Sequence, residues 1–441
     1  MKKLKIGPFG RIWRALFGGH AETDHKEEIR FNENSISLSR IPKAPHAFAY
    51  LFESFPSFTQ TFCFREVEEM LNQGLQFPIF SMWMSADDSV QDFPSRLTGL
   101  TSYFPKNIRR WARKTQREEK NRIQAIRAQL ASEWGKEKKR AEQTAWLIPI
   151  LEQLEVRHVH VHFAGVATRT AYWMKKAAGI RYSFTAHAND FWVNSTSQEK
   201  HLADLLREAE FVVTETDFSV NWLSERFPSD AHKIHRVYNG ISFNRFVRTN
   251  LFNPPRILSV GRYIEKKGFF DLIKACTTLK DEKFECLIVG QGALEKTLKQ
   301  EVQNAGLEGK VFIVGPRTES EIADLLGSTS IFVLPCKTAS DGGMDNLPTV
   351  IMEAMSASVP VVSTCLAGIP EMVVHGETGY LVNEGDCDAL ASAIRTLLHD
   401  PAAAEAMGAR GRVLAQEKFD ISKAVGSLKS LLTHYGALRN I

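Results

Sequence analysis

From Phe48 to Gly240 the chain alternates short apolar runs with stretches whose apolar residues recur at helical spacing. The runs are "AFAYLF", "QFPIFSMW", "HVHVHFAG", "RYSFTAHA", "FVVTET" and "KIHRVYNG". Strands alternating with helices predict a parallel sheet covered by helices on both faces, because parallel neighbours need a crossover long enough to hold a helix. A polar stretch, "RFVRTNLFNPPR", breaks the pattern, and its Pro254–Pro255 pair reads as a linker. A second series then supplies "RILSVGR", "FECLIVG", "KVFIVG", "IFVLP", "PVVST" and "GYLV", with amphipathic segments such as "GALEKTLKQEVQNAGL" between them. The pattern therefore predicts an α/β protein with two Rossmann-like, doubly wound domains in tandem, at 46–248 and 255–418. A basic extension, 1–45, precedes them. The last segment, 420–441, places Val425, Leu428, Leu431 and Leu432 at helical spacing, and is expected to cross back and brace the first domain.

Length agrees with this division, since 441 residues exceed one ordinary core. Two facing domains imply a cleft, and ligands of such sheets bind beyond the carboxyl ends of the strands. A hydrophobic fraction of 44% and a charged fraction of 24% fit a globular protein, and no run approaches the ~18 apolar residues of a spanning helix. The opening "MKKLKIGPFGRIWRALFGG" lacks an uninterrupted apolar core and a small-residue cleavage site, so a cytoplasmic protein is expected. Six scattered cysteines without C-x-x-C pairs read as buried thiols rather than zinc ligands.

Net charge is only +4, yet Lys106–Glu142 holds thirteen Lys or Arg against five Glu. Such a patch is either a solvated helix face or a surface drawn to anionic lipid headgroups or phosphorylated acceptors. Ile12, Trp13, Leu16 and Phe17, interleaved with Arg11 and Arg14, could add a short amphipathic anchor at the inner face of the plasma membrane. No nucleic-acid motif or aromatic platform accompanies the charge.

Candidate chemistry gathers at strand ends. In "MDNLPTVIMEAMSASVPVVST", Asp345 and Glu353 stand eight positions apart, which leaves them about 80° apart on a continuous helix. Pro348 favours a first turn, so Asp345 falls in the preceding loop and Glu353 in the second turn, both able to face the helix mouth. In "ILSVGRYIEKKGFFDLIKA", a strand ending at Gly261 is followed by Arg262, Lys266 and Lys267, and Gly268 opens a helix. Cations beside a helix N-terminus suit a diphosphate; solvated lysines and a surface pair for Arg262 are the bland alternative. Gly290 and Gly292 lack the third glycine of a dinucleotide fingerprint, Glu295 standing in its place. His158, His160 and His162 share one strand face, but neighbours lie about 7 Å apart along the strand, too spread for a single ion, so no metal is expected. His162 at the strand end is expected to line the cleft, and His187, with Asn189 and Asp190, to hydrogen-bond a sugar hydroxyl or to be a satisfied loop histidine. After the first strand, Ser57, Thr59 and Thr61 offer hydroxyls to an acceptor or a phosphate.

Together these motifs resemble the retaining glycosyltransferases of the large GT-B family four, and within it exopolysaccharide enzymes similar to colanic acid glycosyltransferases. The likeness runs from about Phe48 to Val382 through "FPSFTQTFCFRE", "HVHVHFAG", "SFTAHAND", "VYNGI", "SVGRYIEKKG", the paired acids and "GIPEMVVHGETGYLV". It implies a metal-independent hexosyltransferase that moves a sugar from a nucleotide-diphosphate sugar, as substrate rather than cofactor, to a glycan or lipid-linked acceptor. Arg262 and Lys267 would bind the diphosphate, Glu353 the ribose and Asp345 the transferred sugar. His187 would face donor sugar and acceptor, and Arg317 would lie against the base. Asp345 replaces the usual Glu and is one methylene shorter, which could route sugar contact through the Gly343 and Met344 amides; Thr59-Gln60-Thr61 replaces Ser-Glu-Thr. A nucleotide-sugar epimerase of the same fold, or a non-catalytic sugar-nucleotide sensor, are the rival readings.

Overall fold

The computed structural model describes residues 47–57, 60–84, 95–114, 117–133, 138–192 and 196–438, all within one compact unit. The basic extension at 1–45, with the anchor proposed around Trp13, lies outside the described residues, as does Thr59.

Strands β1 (Phe48–Ser54), β2 (Ile79–Trp83), β3 (Thr101–Tyr103), β4 (His158–His162), β5 (Arg181–Ala186), β6 (Val212–Thr214) and β7 (Ile234–Arg236) pair in the order β3-β2-β1-β4-β5-β6-β7. The second sheet joins β8 (Arg256–Val260), β9 (Glu285–Val289), β10 (Val311–Val314), β11 (Ile331–Leu334), β12 (Val361–Thr364) and β13 (Gly379–Val382) in the order β10-β9-β8-β11-β12-β13. Every pairing within both sheets is parallel. Every apolar run named above became a strand; β3, three residues without such a run, was not foreseen.

Burial of both sheet faces follows from side-chain alternation. In β1, Phe48, Tyr50 and Phe52 pack with Phe64, Val67 and Met70 of the helix Thr61–Asn72, while Ala49 and Leu51 join Val159 and Val161 in a separate cluster on the other face. The helix Ile421–His434 lays Ile421, Val425, Leu428 and Leu432 onto the first of these clusters. Thus the chain end does return to the first sheet, where Ser422 Oγ donates to Glu69 at 2.8 Å. Two crossings between the halves run side by side: Ile241 N donates to Phe419 O at 2.9 Å and Ile421 N to Ile241 O at 3.1 Å. Gly240 permits this approach, since a Cβ there would sit 2.5 Å from Ile421 Cα.

The linker is anchored to the second half, where Thr249 N and Phe252 N donate to Gly327 O and Ser328 O. The basic stretch is divided between core and surface. Arg140 is buried and Glu142 pairs with Arg127, whereas Arg109, Arg110, Arg113, Arg117 and Lys120 remain exposed. Five of the six free cysteines are buried. Among the described residues no helix is long and apolar enough to cross a membrane.

Candidate active site between the two sheets

Residues after β4 to β9, the loops after β10 and β11, and the start of the helix Thr61–Asn72 after β1 line one cavity of about 680 Å³. At one end, β8 runs out into Gly261 and Arg262, and a short turn over Glu265–Lys267 leads to Gly268 at φ +66°. Only glycine fits there, because a Cβ would fall 1.8 Å from Pro335 O. Asp345, in the loop before the helix Thr349–Ser356, receives Lys266 Nζ at 2.9 Å and Lys267 Nζ at 2.5 Å. Burial opposes ionisation of Asp345, but Lys267 and Lys266 outweigh it and hold the carboxyl far below the usual carboxylate range. Burial likewise pushes Lys267 down, and Asp345 overrides it to leave the ammonium raised. Arg262 is exposed, lines the cavity and makes no ion pair among the described residues. Lys266 also reaches Asn189 of the first half at 3.2 Å. Gly290 and Gly292 serve chain packing here: a Cβ would meet Gly261 O at 1.9 Å and Tyr263 O at 2.6 Å.

At the other end Pro348 occupies the N-cap position and Glu353 the second turn, as the spacing predicts. Glu353 meets Arg65, from the helix Thr61–Asn72, with Nη2 at 2.8 Å from Oε1. The same nitrogen lies 3.2 Å from Glu319, which also pairs with Arg245 at 2.6 Å. Burial raises the Glu353 carboxyl, partly countered by Arg65; at Glu319 burial is outweighed by Arg65 and Arg245, which lower it. Arg317 lines this end and donates to Pro316 O at 3.0 Å.

On the first-half wall a chain of polar side chains runs inward from His187. Its Nδ1 contacts Glu215 Oε1 at 2.7 Å, its Nε2 contacts His162 Nδ1 at 3.1 Å, and His162 Nε2 contacts Glu66 Oε1 at 3.1 Å. Burial opposes ionisation of Glu215 and Glu66, but His187 and His162 respectively override it, lowering both. Asn239 donates to Glu215 at 2.6 Å and Tyr50 to Glu66 at 2.6 Å. Asp190 is pushed up to about 6 by burial and accepts from His187 N at 2.8 Å.

The cavity thus gathers Arg262, Lys267, Arg317, Asp345, Glu353, His187 and Thr61. Three expectations are corrected. His162 lies behind His187 rather than in the lining, its ring stacked at 5.4 Å. Gly343 and Met344 do not line the cavity; the Gly343 amide is spent on Asp341 at 2.8 Å, and Met344 packs into the cores of both halves. His187 does line it, but both ring nitrogens are engaged, so a sugar hydroxyl reaches one only by displacing Glu215 or His162. Donor atoms of Glu66, His160 and His162 lie within 4.8 Å of one another, a group that takes in two of the three strand histidines and leaves out His158. Both nitrogens of His160 already bond Ser183 and Thr185, hydroxyls that strand register sets beside β4, so this cluster is a completed hydrogen-bond network. Sequence reasoning missed Arg65, Glu215, Asn239 and Glu319, although Arg65 stands inside the motif "TFCFRE".

Residues 242–414 match the family described as Glycosyl transferases group 1, and residues 101–245 match Glycosyltransferase Family 4. AmsK of Erwinia amylovora, an amylovoran biosynthesis glycosyltransferase, is 39% identical over 207 residues, 46% of this chain and 51% of AmsK. WcaL of Salmonella typhimurium, whose name assigns it to colanic acid biosynthesis, is 34% identical over 199 residues, 44% of this chain and 49% of WcaL. The matched segment spans about half the length of these relatives. Among solved structures, HepE of Anabaena in complex with UDP-glucose superposes with a TM-score of 0.68 at 17% identity, covering 88% of this chain and 99% of HepE.

Proposed function

The chain belongs to the glycosyltransferases that the group 1 and family 4 models describe and has their GT-B fold, and on that premise we propose that it transfers a sugar, with retention, from a nucleotide-diphosphate sugar to a glycan or lipid-linked acceptor in cell-surface polysaccharide synthesis. The observation that carries this reading is the charge layout of the cavity. Breaking the bond from the anomeric carbon to the diphosphate builds negative charge on phosphate and positive character on the sugar ring. Arg262 is unpaired among the described residues, and Lys266 and Lys267 keep a net positive charge beside Asp345, so a preorganised cationic patch meets the leaving group. In this reading these side chains, rather than a metal, carry the leaving-group charge. Glu353, in the second turn of its helix, receives ribose hydroxyls.

Retention is what the family resemblance implies, and the state of the lining acids bears on the route by which it would occur. Glu215, Glu319, Asp345 and Glu353 are each bound to a cation, a histidine or an amide, so no lining acid stands out as a covalent nucleophile. Attack by the acceptor on the face the diphosphate leaves, with phosphate taking the acceptor proton, is the route that fits. The acceptor is proposed to enter from the first-half side, near Thr61 and His187, with the exposed arginines of Ile108–Lys114 drawing the protein to an anionic lipid surface.

Arg262→Ala tests the reading. Nucleoside diphosphate release from a panel of nucleotide sugars plus lipid-linked acceptor should fall about 10²–10³-fold, the cost of one preorganised donor. Unchanged turnover in a folded variant removes the diphosphate assignment, and release of an epimerised free sugar without glycoside moves the protein to the epimerase class.

A further inference from the structure

The reaction as derived leaves one buried cation of the cavity without a task. Arg65 projects from the first-half helix Thr61–Asn72, is 7% exposed, and lines the cavity opposite the second half. Its Nη2 serves both Glu353 and Glu319. Its Nη1 is buried and has no hydrogen-bond partner among the described residues. A buried guanidinium N–H is rarely left unpaired, because nothing repays its lost hydration. The side chain lines the cavity, so a ligand seated against the guanidinium is the group placed to supply the missing acceptor.

The surroundings narrow that acceptor. Nη1 and Nη2 belong to one planar fork, so the free donor lies beside the carboxylate of Glu353. Arg65 bonds Glu353 through Oε1, and its hydrogen bond does not use the second oxygen, Oε2. A ligand group that donates to Glu353 and accepts from Arg65 must be both donor and acceptor, as a hydroxyl is. Glu319, held by the same nitrogen, opens the helix Glu319–Gly327 two residues beyond Arg317, and both line this end of the cavity.

We propose that Arg65 is a nucleoside-binding residue: Nη1 donates to a ribose hydroxyl oxygen of the donor while Nη2 orients Glu353 to accept that sugar's hydroxyl protons. This rests on the donor-site reading above and deepens it. The ribose is then gripped from both halves, by Arg65 of the first and Glu353 of the second, so a bound nucleoside tightens the contact across the cleft. Pyrophosphate, which lacks a ribose, gains nothing from Arg65.

Titration calorimetry with UDP, GDP, ADP and pyrophosphate on wild type, Arg65→Met and Arg65→Lys separates the possibilities. Arg65→Lys keeps a cation for the two acids but lacks the second nitrogen, so it isolates the loss of Nη1 should the methionine variant misfold. Whichever nucleoside diphosphate the wild type binds should weaken at least tenfold in both variants, as expected for a charged hydrogen bond, with pyrophosphate affinity within twofold. Unchanged nucleoside diphosphate affinity overturns the inference. Equal losses for nucleoside diphosphate and pyrophosphate also overturn it, since Arg65 would then be only a clamp between the halves. A wild-type protein that binds pyrophosphate but no nucleoside diphosphate removes the donor-site reading itself, and this inference with it.

Discussion

Asp345→Asn isolates the electrostatics of the cationic end. The substitution keeps the side-chain shape and removes the charge that sits 2.9 and 2.5 Å from two ammonium groups, all three side chains being no more than 13% exposed. Removing one partner of a buried ion pair costs ~3–5 kcal/mol because the other charge is stranded. With an unfolding entropy of ~2.1 cal/mol/K per residue over roughly 400 residues, that corresponds to a melting shift of about 4–6 °C. Because both lysines then lack an anion, added nucleoside diphosphate should restore more stability to the variant than to wild type. The acid side gives a further signature: the carboxyl is held below its unfolded value near ~4, so its contribution is complete above that pH and is lost as pH falls below it. The melting difference between wild type and variant should be level from pH 8 to 5 and shrink below about 4. Differential scanning calorimetry across that range checks all three points. A variant that melts within 1 °C of wild type at pH 7 refutes the claim that Asp345 compensates the lysines.

Other sites give independent checks. Burial lowers His158 and His160 to about 3, so both stay neutral in the fold while the unfolded chain takes up protons near 6.5. Stability should therefore fall as pH drops from about 6.5 towards 3, and His158→Gln should flatten that slope by about 1.4 kcal/mol per pH unit in urea titrations; an unaltered slope contradicts the assignment. Glu371 of the second half accepts from Asp217 N, Phe218 N and Tyr238 Oη at 2.9–3.0 Å, capping the helix Asp217–Arg226 from across the interface. Glu371→Ala should cost about 0.5–2 kcal/mol, and a neutral result shows that water replaces the cap. Replacing Arg109, Arg110 and Arg113 by Glu should abolish flotation with vesicles containing anionic lipid; equal flotation of wild type with neutral vesicles sinks the electrostatic proposal.

Local signals carried most of the architecture. Each strand of the second half announced itself as an apolar run bounded by glycine, proline or polar turns, and Pro348 alone placed Asp345 outside and Glu353 inside the following helix. What escaped was non-local. β3, "TSY", is an edge strand too short and too polar to leave a periodic trace. Arg65 reads as one more charge on an amphipathic helix, because its partner Glu353 lies 288 positions away and only the fold brings them together. The histidine strand was legible as a face but not as a network. Period two puts His160 and His162 on one side, but the hydroxyl column of Ser183 and Thr185, the Glu66 carboxylate and the His187 ring that complete it come from other elements. For the same reason His162 could not be told from a lining residue: strand-end position was visible, and the ring covering it was not.

The central claim, a donor diphosphate held between the halves at Arg262 and Lys267, is tested most directly by a crystal structure of the protein soaked with a nucleoside diphosphate that it binds. The account predicts the diphosphate beside Arg262 and Lys267, with the ribose at Glu353. Density for the nucleotide away from this cavity, or with its phosphates turned towards Glu353 and Glu319, would contradict it.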